Sequence, residues 1–275
     1  MNHLHQFYLA LLLVCLSSGS IRAELTSPSA PSVFAKRAIV IDYQSGEVLF
    51  AKNAHQKCAV ASTQKMLTAL CVIDAGSLQD PVSITRTDTY LEPTKIYISP
   101  GETYRREELL KALVVRSGND VARALARDIA GSETTFSDIM NQKAAQLGMK
   151  NSYFLNPHGL TANGQYSTAF DIALLAQASY ANPILREFMK NKGYYFNYPN
   201  GKRKWLGNTN QLLKKLPYCL GMKTGTTRAS GRCLISVGQK NGRTTIVVCL
   251  GSDSKHIWND SQSLLDWSLQ IPKSL

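Results

Sequence analysis

The stretch LGMKTGTTRASGRCLISVGQKNGRTTIVVCL, residues 220–250, decides the fold. It holds three short β-rich runs, 220–226, 233–237 and 244–250, punctuated by glycine and polar residues. Asn241-Gly242 between the last two is a two-residue hairpin signal. Near the other end of the chain, AIVIDYQSGEVLFAKN at 38–53 reads as two more β-rich runs around Tyr43-Gln44-Ser45-Gly46. Helical patterns fill the space between. In residues 62–75, Met66, Ala69, Leu70 and Ile73 recur at helical spacing and Gly76 closes the segment. Residues 107–129 are helical but broken near Ser117-Gly118-Asn119, and 134–147 and 168–181 follow; a last amphipathic helix covers 256–269. Strands at both ends with helices between them predict an α+β fold: an antiparallel sheet built from both termini, flanked by helices, with an inserted helical subdomain at about 77–215. A parallel βαβ repeat does not satisfy this order.

The chain has 275 residues, enough for a substantial core, and shows no repeat or low-complexity tract. Residues 7–16, FYLALLLVCL, are too short to span a bilayer comfortably. Small polar residues and Ile21-Arg22-Ala23 follow, so 1–23 reads as a secretory signal peptide, 24–37 as an N-terminal segment and 38–271 as one catalytic domain. The net charge of +12 suits a protein that meets anionic polymers and lipid head groups, but reads first as a solvated basic surface. Nucleic acid is not expected, because the leader directs export and no Lys/Arg-dense run carries interleaved aromatics. Cys58, Cys71, Cys219, Cys233 and Cys249 remain beyond the leader, an odd number that fits no disulfide or zinc framework and specifies no pair.

Three elements carry chemistry. Ser62-Thr63-Gln64-Lys65 opens a predicted helix and puts Ser62 and Lys65 on one face, a turn apart. A serine hydroxyl needs a base, and a lysine serves when burial and neighbouring charge depress its pKa. Ser117-Gly118-Asn119 sits where one helix gives way to the next, so that a hydroxyl and an amide can face a cleft. Lys223-Thr224-Gly225-Thr226 lies in a β-rich run. There Gly225 leaves the strand bare for a docking peptide, Lys223 and Thr224 suit a carboxylate, and the N–H of Thr226 with that of Ser62 would form an oxyanion hole. Taken singly, each has a plain structural reading, and Ser252-Asp253-Ser254-Lys255 repeats the first pattern on a polar turn where it reads as structural. Together and in order, the three are specific.

With these motifs the chain resembles the low-molecular-mass penicillin-binding proteins, D-alanyl-D-alanine carboxypeptidases of serine peptidase family S11. The likeness extends to 30–53, to FLNPHGL at 154–160, to QYSTAFDIALLA at 165–176 and to NTNQLL at 208–213. It implies the penicillin-binding, β-lactamase-like fold, with the site between sheet and helical subdomain. It implies Ser62 as acylated nucleophile, Lys65 as its base, Ser117 as proton carrier, and Asn119, Lys223, Thr224, Gly225 and Thr226 as substrate-binding residues. Peptidoglycan stem peptides are the implied substrate and β-lactams the implied inhibitors, with no metal or cofactor. The implied location is the periplasm or the outer face of the cytoplasmic membrane, with membrane contact at most peripheral.

His55, His158 and His256 have no dyad or ligand spacing, and His158, between Pro157 and Gly159, reads as loop packing. The rival readings are a DD-endopeptidase, a β-lactamase and a non-catalytic wall-binding protein. The lactamase would need a deacylating glutamate, for which Glu187 before Asn191 is a weak candidate on a charged helix end.

Overall fold

The computed structural model describes residues 29–271, and the leader assigned to 1–23 lies outside them. In chain order the elements are β1 (Arg37–Asp42), β2 (Val48–Lys52), α1 (Lys65–Asp74), β3 (Pro81–Ser83), β4 (Thr103–Arg105), α2 (Arg106–Arg116), α3 (Asn119–Ala130), α4 (Glu133–Gln146), α5 (Ala169–Ala181), α6 (Pro183–Met189), β5 (Gly193–Asn197), β6 (Arg203–Gly207), α7 (Leu212–Lys215), β7 (Cys219–Thr227), β8 (Gly231–Lys240), β9 (Arg243–Ser252) and α8 (Ile257–Ser268).

The main sheet has the order β2-β1-β9-β8-β7, antiparallel throughout. The N-terminal hairpin is zipped onto the last strand, Val40 opposite Val247 and Ala38 opposite Cys249. The continuous apolar run of β9 follows from burial on both faces. Its Ile246, Val248 and Leu250 join Ile39 and Ile41 of β1 and Ile235 and Val237 of β8 in the larger core, which also takes in α1 and α5. Val247 and Cys249, with Val40 and Leu234, point the other way, onto Leu264 and Leu265 of α8 and Leu212 and Leu213 of α7. Each such aliphatic side chain contributes about 1.5–3 kcal/mol on burial.

Most elements follow the sequence reading, with Asn241 and Gly242 joining the paired ends Lys240 and Arg243. The differences are local. Residues 61–64 form a 3-10 turn and the α-helix begins only at Lys65, so the nucleophile candidate precedes the helix proper. Two ribbons, β3–β4 and β5–β6, were not anticipated. Three-residue strands are too short to show a period, and the alternation of β5 and β6 lies on either side of the turn former Pro199-Asn200-Gly201. All five cysteines of the described chain are free thiols. No described helix is long and apolar enough to cross a membrane.

The segment before β1 is tied down by one carboxylate. Buried Asp260 of α8 accepts the N–H groups of Phe34 and Ala35 and the Ser252 hydroxyl, each at 2.8 Å. An Asp260→Ala substitution strips three buried donors of a charged acceptor. It should lower unfolding free energy by about 3 kcal/mol in urea denaturation.

Candidate active site

The chemistry-bearing serine sits on the turn that enters α1. Thr63 Oγ1 donates to Val60 O at 2.7 Å, closing the turn, and Ala61 just before Ser62 is held in the left-handed region at φ 50°. That conformation costs a residue with a Cβ about 1 kcal/mol, and such strain collects at functional sites. One turn on, Lys65 is 1% exposed. Its Nζ lies 2.8 Å from Ser62 Oγ, 2.7 Å from Asn119 Oδ1 and 2.5 Å from His158 O, so that as a free base it donates to the amide and carbonyl oxygens and faces the Ser62 hydroxyl with its lone pair. Burial pushes the amine well below the usual lysine range, the neighbouring Lys223 charge pushes it further, and the Asp120 carboxylate partly opposes both.

The second element is held by its neighbours. Ser117 ends α2 in a left-handed conformation, φ 68°, which turns the chain sharply into α3. Asn119 is clamped at three points: its N–H donates to Thr94 O at 2.7 Å, its Nδ2 to Glu92 O at 2.8 Å, and its Oδ1 receives Lys65. Asp120, also buried, accepts the N–H groups of Ile96 and Tyr97 at 3.1 and 2.8 Å, so the loop 92–97 is pinned beside the cleft.

The third element is the sheet edge. Strand β7 packs against the turn carrying Ser62, and a Cβ on Gly225 would stand 3.0 Å from Ser62 N, Val60 O and Ala61 Cβ. The glycine is therefore required by the close approach of strand to turn, rather than by a peptide docking over it as the sequence reading supposed. Lys223 is 1% exposed, donates to Thr224 O at 3.1 Å, and burial pushes its amine down to about 7. Thr224 Oγ1 donates to Thr209 Oγ1 at 2.6 Å, and Thr226 Oγ1 receives Arg232 Nη1 at 3.2 Å.

Ser62, Ser117, Asn119, Thr224, Gly225 and Thr226 line one cavity of about 270 Å³, while the buried Lys65 and Lys223 are bonded to its lining residues, Lys65 to Ser62 and Asn119 and Lys223 to Thr224. The other candidates lie elsewhere. Ser252 is bound to Asp260, and Glu187, on an exposed helix end, pairs with Lys190 at 2.6 Å. No aspartate or glutamate is among the cavity-lining residues.

Sequence reading quoted 154–160 only for its likeness and took His158 for loop packing; it missed the part that the backbone of 156–160 plays at the site. Gln64 Nε2 donates to Asn156 O at 2.6 Å and Thr68 Oγ1 to Pro157 O at 2.7 Å, so α1 holds this loop against the site. His158 contributes a backbone carbonyl to Lys65 and Ser62, while its buried ring stands 3.2 Å from Glu133, which pairs with Arg123 at 2.9 Å. Gly159 approaches so closely that a Cβ there would stand 2.3 Å from Ala61 O. A backbone acceptor leaves no side-chain signature of its own.

A family model described as D-alanyl-D-alanine carboxypeptidase matches residues 24–254. The D-alanyl-D-alanine carboxypeptidase DacF of Bacillus subtilis is 36% identical over 80% of this chain and 58% of its own length, so the chain spans well under two thirds of that relative. DacC of Escherichia coli is 34% identical over 94% of this chain and 70% of its own length. Among solved structures, a D-alanyl-D-alanine carboxypeptidase from Mycobacterium tuberculosis superimposes with a TM-score of 0.86 at 30% identity, covering 91% of this chain and 96% of that one. DacD from Francisella tularensis gives 0.80 at 28% identity, covering 88% and 72%.

The buried amine of Lys223 has a thermodynamic consequence. An unfolded lysine titrates near 10.4, roughly, and the folded one at about 7, so between these values the unfolded chain binds the extra proton and stability rises with pH. The burial penalty is complete below the folded value and disappears above the unfolded one. Lys223→Met should therefore be more stable than the parent at pH ~6, by a few kcal/mol on the order expected for such a shift. The gap should close as pH approaches ~10. Urea denaturation across pH checks both.

Proposed function

The chain belongs to the D-alanyl-D-alanine carboxypeptidase family, and from that premise we propose that it is a serine peptidase releasing the terminal D-alanine of peptidoglycan stem peptides through an acyl-enzyme on Ser62. The observation that carries this reading is the 2.8 Å contact between Ser62 Oγ and a buried lysine amine whose neutral form is favoured.

In the proposed reaction Lys65 Nζ takes the Ser62 proton as Oγ bonds to the carbonyl carbon of the penultimate D-alanine. The N–H groups of Ser62 and Thr226 receive the oxyanion. Asn119, fixed by Thr94 and Glu92, holds Lys65 in line and offers its amide edge to the substrate. Ser117 passes its proton to the departing nitrogen and is reprotonated by the one Lys65 took from Ser62, with Lys223 behind it. Thr224, Thr226 and Arg232 at the strand edge suit the terminal carboxylate. Water then cleaves the ester, returning Ser62 and freeing the shortened peptide. The work would be done outside the cytoplasmic membrane, where such peptides are found, which accords with the export expected from residues 1–23. With no carboxylate among the lining residues to activate that water, an acyl-penicillin should be long-lived, which favours the peptidase over a β-lactamase.

Intact-mass measurement after penicillin treatment should show one stable adduct, mapped to Ser62 and absent from Ser62→Ala. Rapid turnover would point to a lactamase, and an unreactive parent would point to a wall-binding protein. D-Alanine release from a pentapeptide, assayed beside cleavage of a cross-linked dimer, separates carboxypeptidase from endopeptidase.

The acylation rate should fall on the acid side as Lys65 becomes protonated. Because Lys223 is one of the charges holding Lys65 down, Lys223→Gln should raise the Lys65 pKa and move that acid limb to higher pH. The residual acylation of the variant, followed from about pH 5 to 10, checks the direction.

A further inference from the structure

Residues 188–252 contain no aspartate or glutamate, but twelve lysines and arginines. The ribbon β5–β6 stands within this acid-free span, and its two faces differ. Phe196 and Leu206 turn inward and are buried. Tyr195 and Trp205, directly opposite each other across the strands, turn outward and are 57% and 53% exposed. Their rings meet edge to face at 5.2 Å, and the Arg203 guanidinium lies over Tyr195 at 5.0 Å. Lys204 stands opposite Phe196, on the other face, and there its amine and that of Lys95 lie over the ring of Tyr97, itself 60% exposed, at 4.8 and 5.5 Å. Two exposed aromatics paired across strands, fringed by cations, are more than the scattered apolar residues of an ordinary surface.

The base of the ribbon adjoins the cleft. Thr209, two residues past β6, lines the cavity and is bonded to Thr224. Pro93 and Thr94 line it from the other side. The same loop runs on to Ile96, whose carbonyl accepts the Tyr198 hydroxyl at 2.5 Å. The ribbon thus stands within reach of a polymer that has one peptide in the cleft.

We propose that the outer face of β5–β6, centred on Tyr195 and Trp205, binds a glycan strand of the polymer whose stem peptide occupies the cleft. This rests on the peptidase reading above and extends it to the rest of the substrate. Pyranose rings present a C–H face to the negative face of an aromatic ring; Arg203 on the same face meets the carboxylates of neighbouring stems, and Lys204 and Lys95 add attraction from the ribbon's other side. An anionic lipid surface would share the charge complementarity. The tip of the ribbon, Pro199-Asn200-Gly201-Lys202, however, has no large apolar side chain to insert.

The test compares D-alanine release from polymeric, uncross-linked wall with release from the free pentapeptide, for the parent and a Tyr195→Ser/Trp205→Ser double variant. Penicillin labelling is run alongside as a check that the cleft is folded. The ratio of polymer to pentapeptide activity should fall about 10-fold in the variant, the loss of two aromatic contacts. In the parent, raising salt should lower the same ratio. A ratio unchanged by the double substitution overturns the proposal. So does an unchanged ratio accompanied by loss of sedimentation with phosphatidylglycerol vesicles, which would assign the face to lipid. A parent that releases no D-alanine from the pentapeptide would instead overturn the peptidase reading itself.

Discussion

The site depends on one amine kept from water. Lys65 Nζ has three partners, Ser62 Oγ, Asn119 Oδ1 and the His158 carbonyl, and they come from three separate parts of the chain. An ammonium buried this deeply among neutral acceptors loses more hydration than they return, which favours the free base. The nearby Lys223 charge acts in the same direction, while Asp120 limits the shift. The reactivity proposed for Ser62 is therefore a matter of packing. Any change that lets water reach Lys65 restores its proton.

Holding that amine in place constrains the architecture around it. Strand β7 and the loop 156–160 both press onto the Ala61–Ser62 turn, at Gly225 and Gly159. The turn is thus caught between sheet and loop, with Ala61 in a strained conformation that neither side allows to relax. The sheet edge that supplies β7 is in turn set by β8, β9 and the N-terminal hairpin, so contacts far apart in sequence all bear on the position of one hydroxyl.

The cations divide into two populations with different physics. Lys65 and Lys223 are buried, weakly compensated and depressed in pKa. Those on the β5–β6 ribbon are solvated, lie over aromatic rings and confer long-range attraction for anions that salt screens. The first group is suited to proton transfer and the second to holding a charged polymer near it.

By itself the amino-acid sequence determined the α+β order, the sheet built from both termini and the three motifs, because strand alternation, helical periodicity and turn chemistry are local properties. It also marked Ser252–Lys255 as a chance match, and that serine is occupied by Asp260. Only the tertiary structure decided why Gly225 is a glycine, since that depends on a turn more than 150 residues earlier in the chain. The role of the His158 carbonyl was equally hidden, because every residue has a carbonyl and only folding chooses which one meets the amine. The outward pairing of Tyr195 with Trp205 likewise came from strand register, which the spacing of residues 193–207 does not specify until the ribbon is closed.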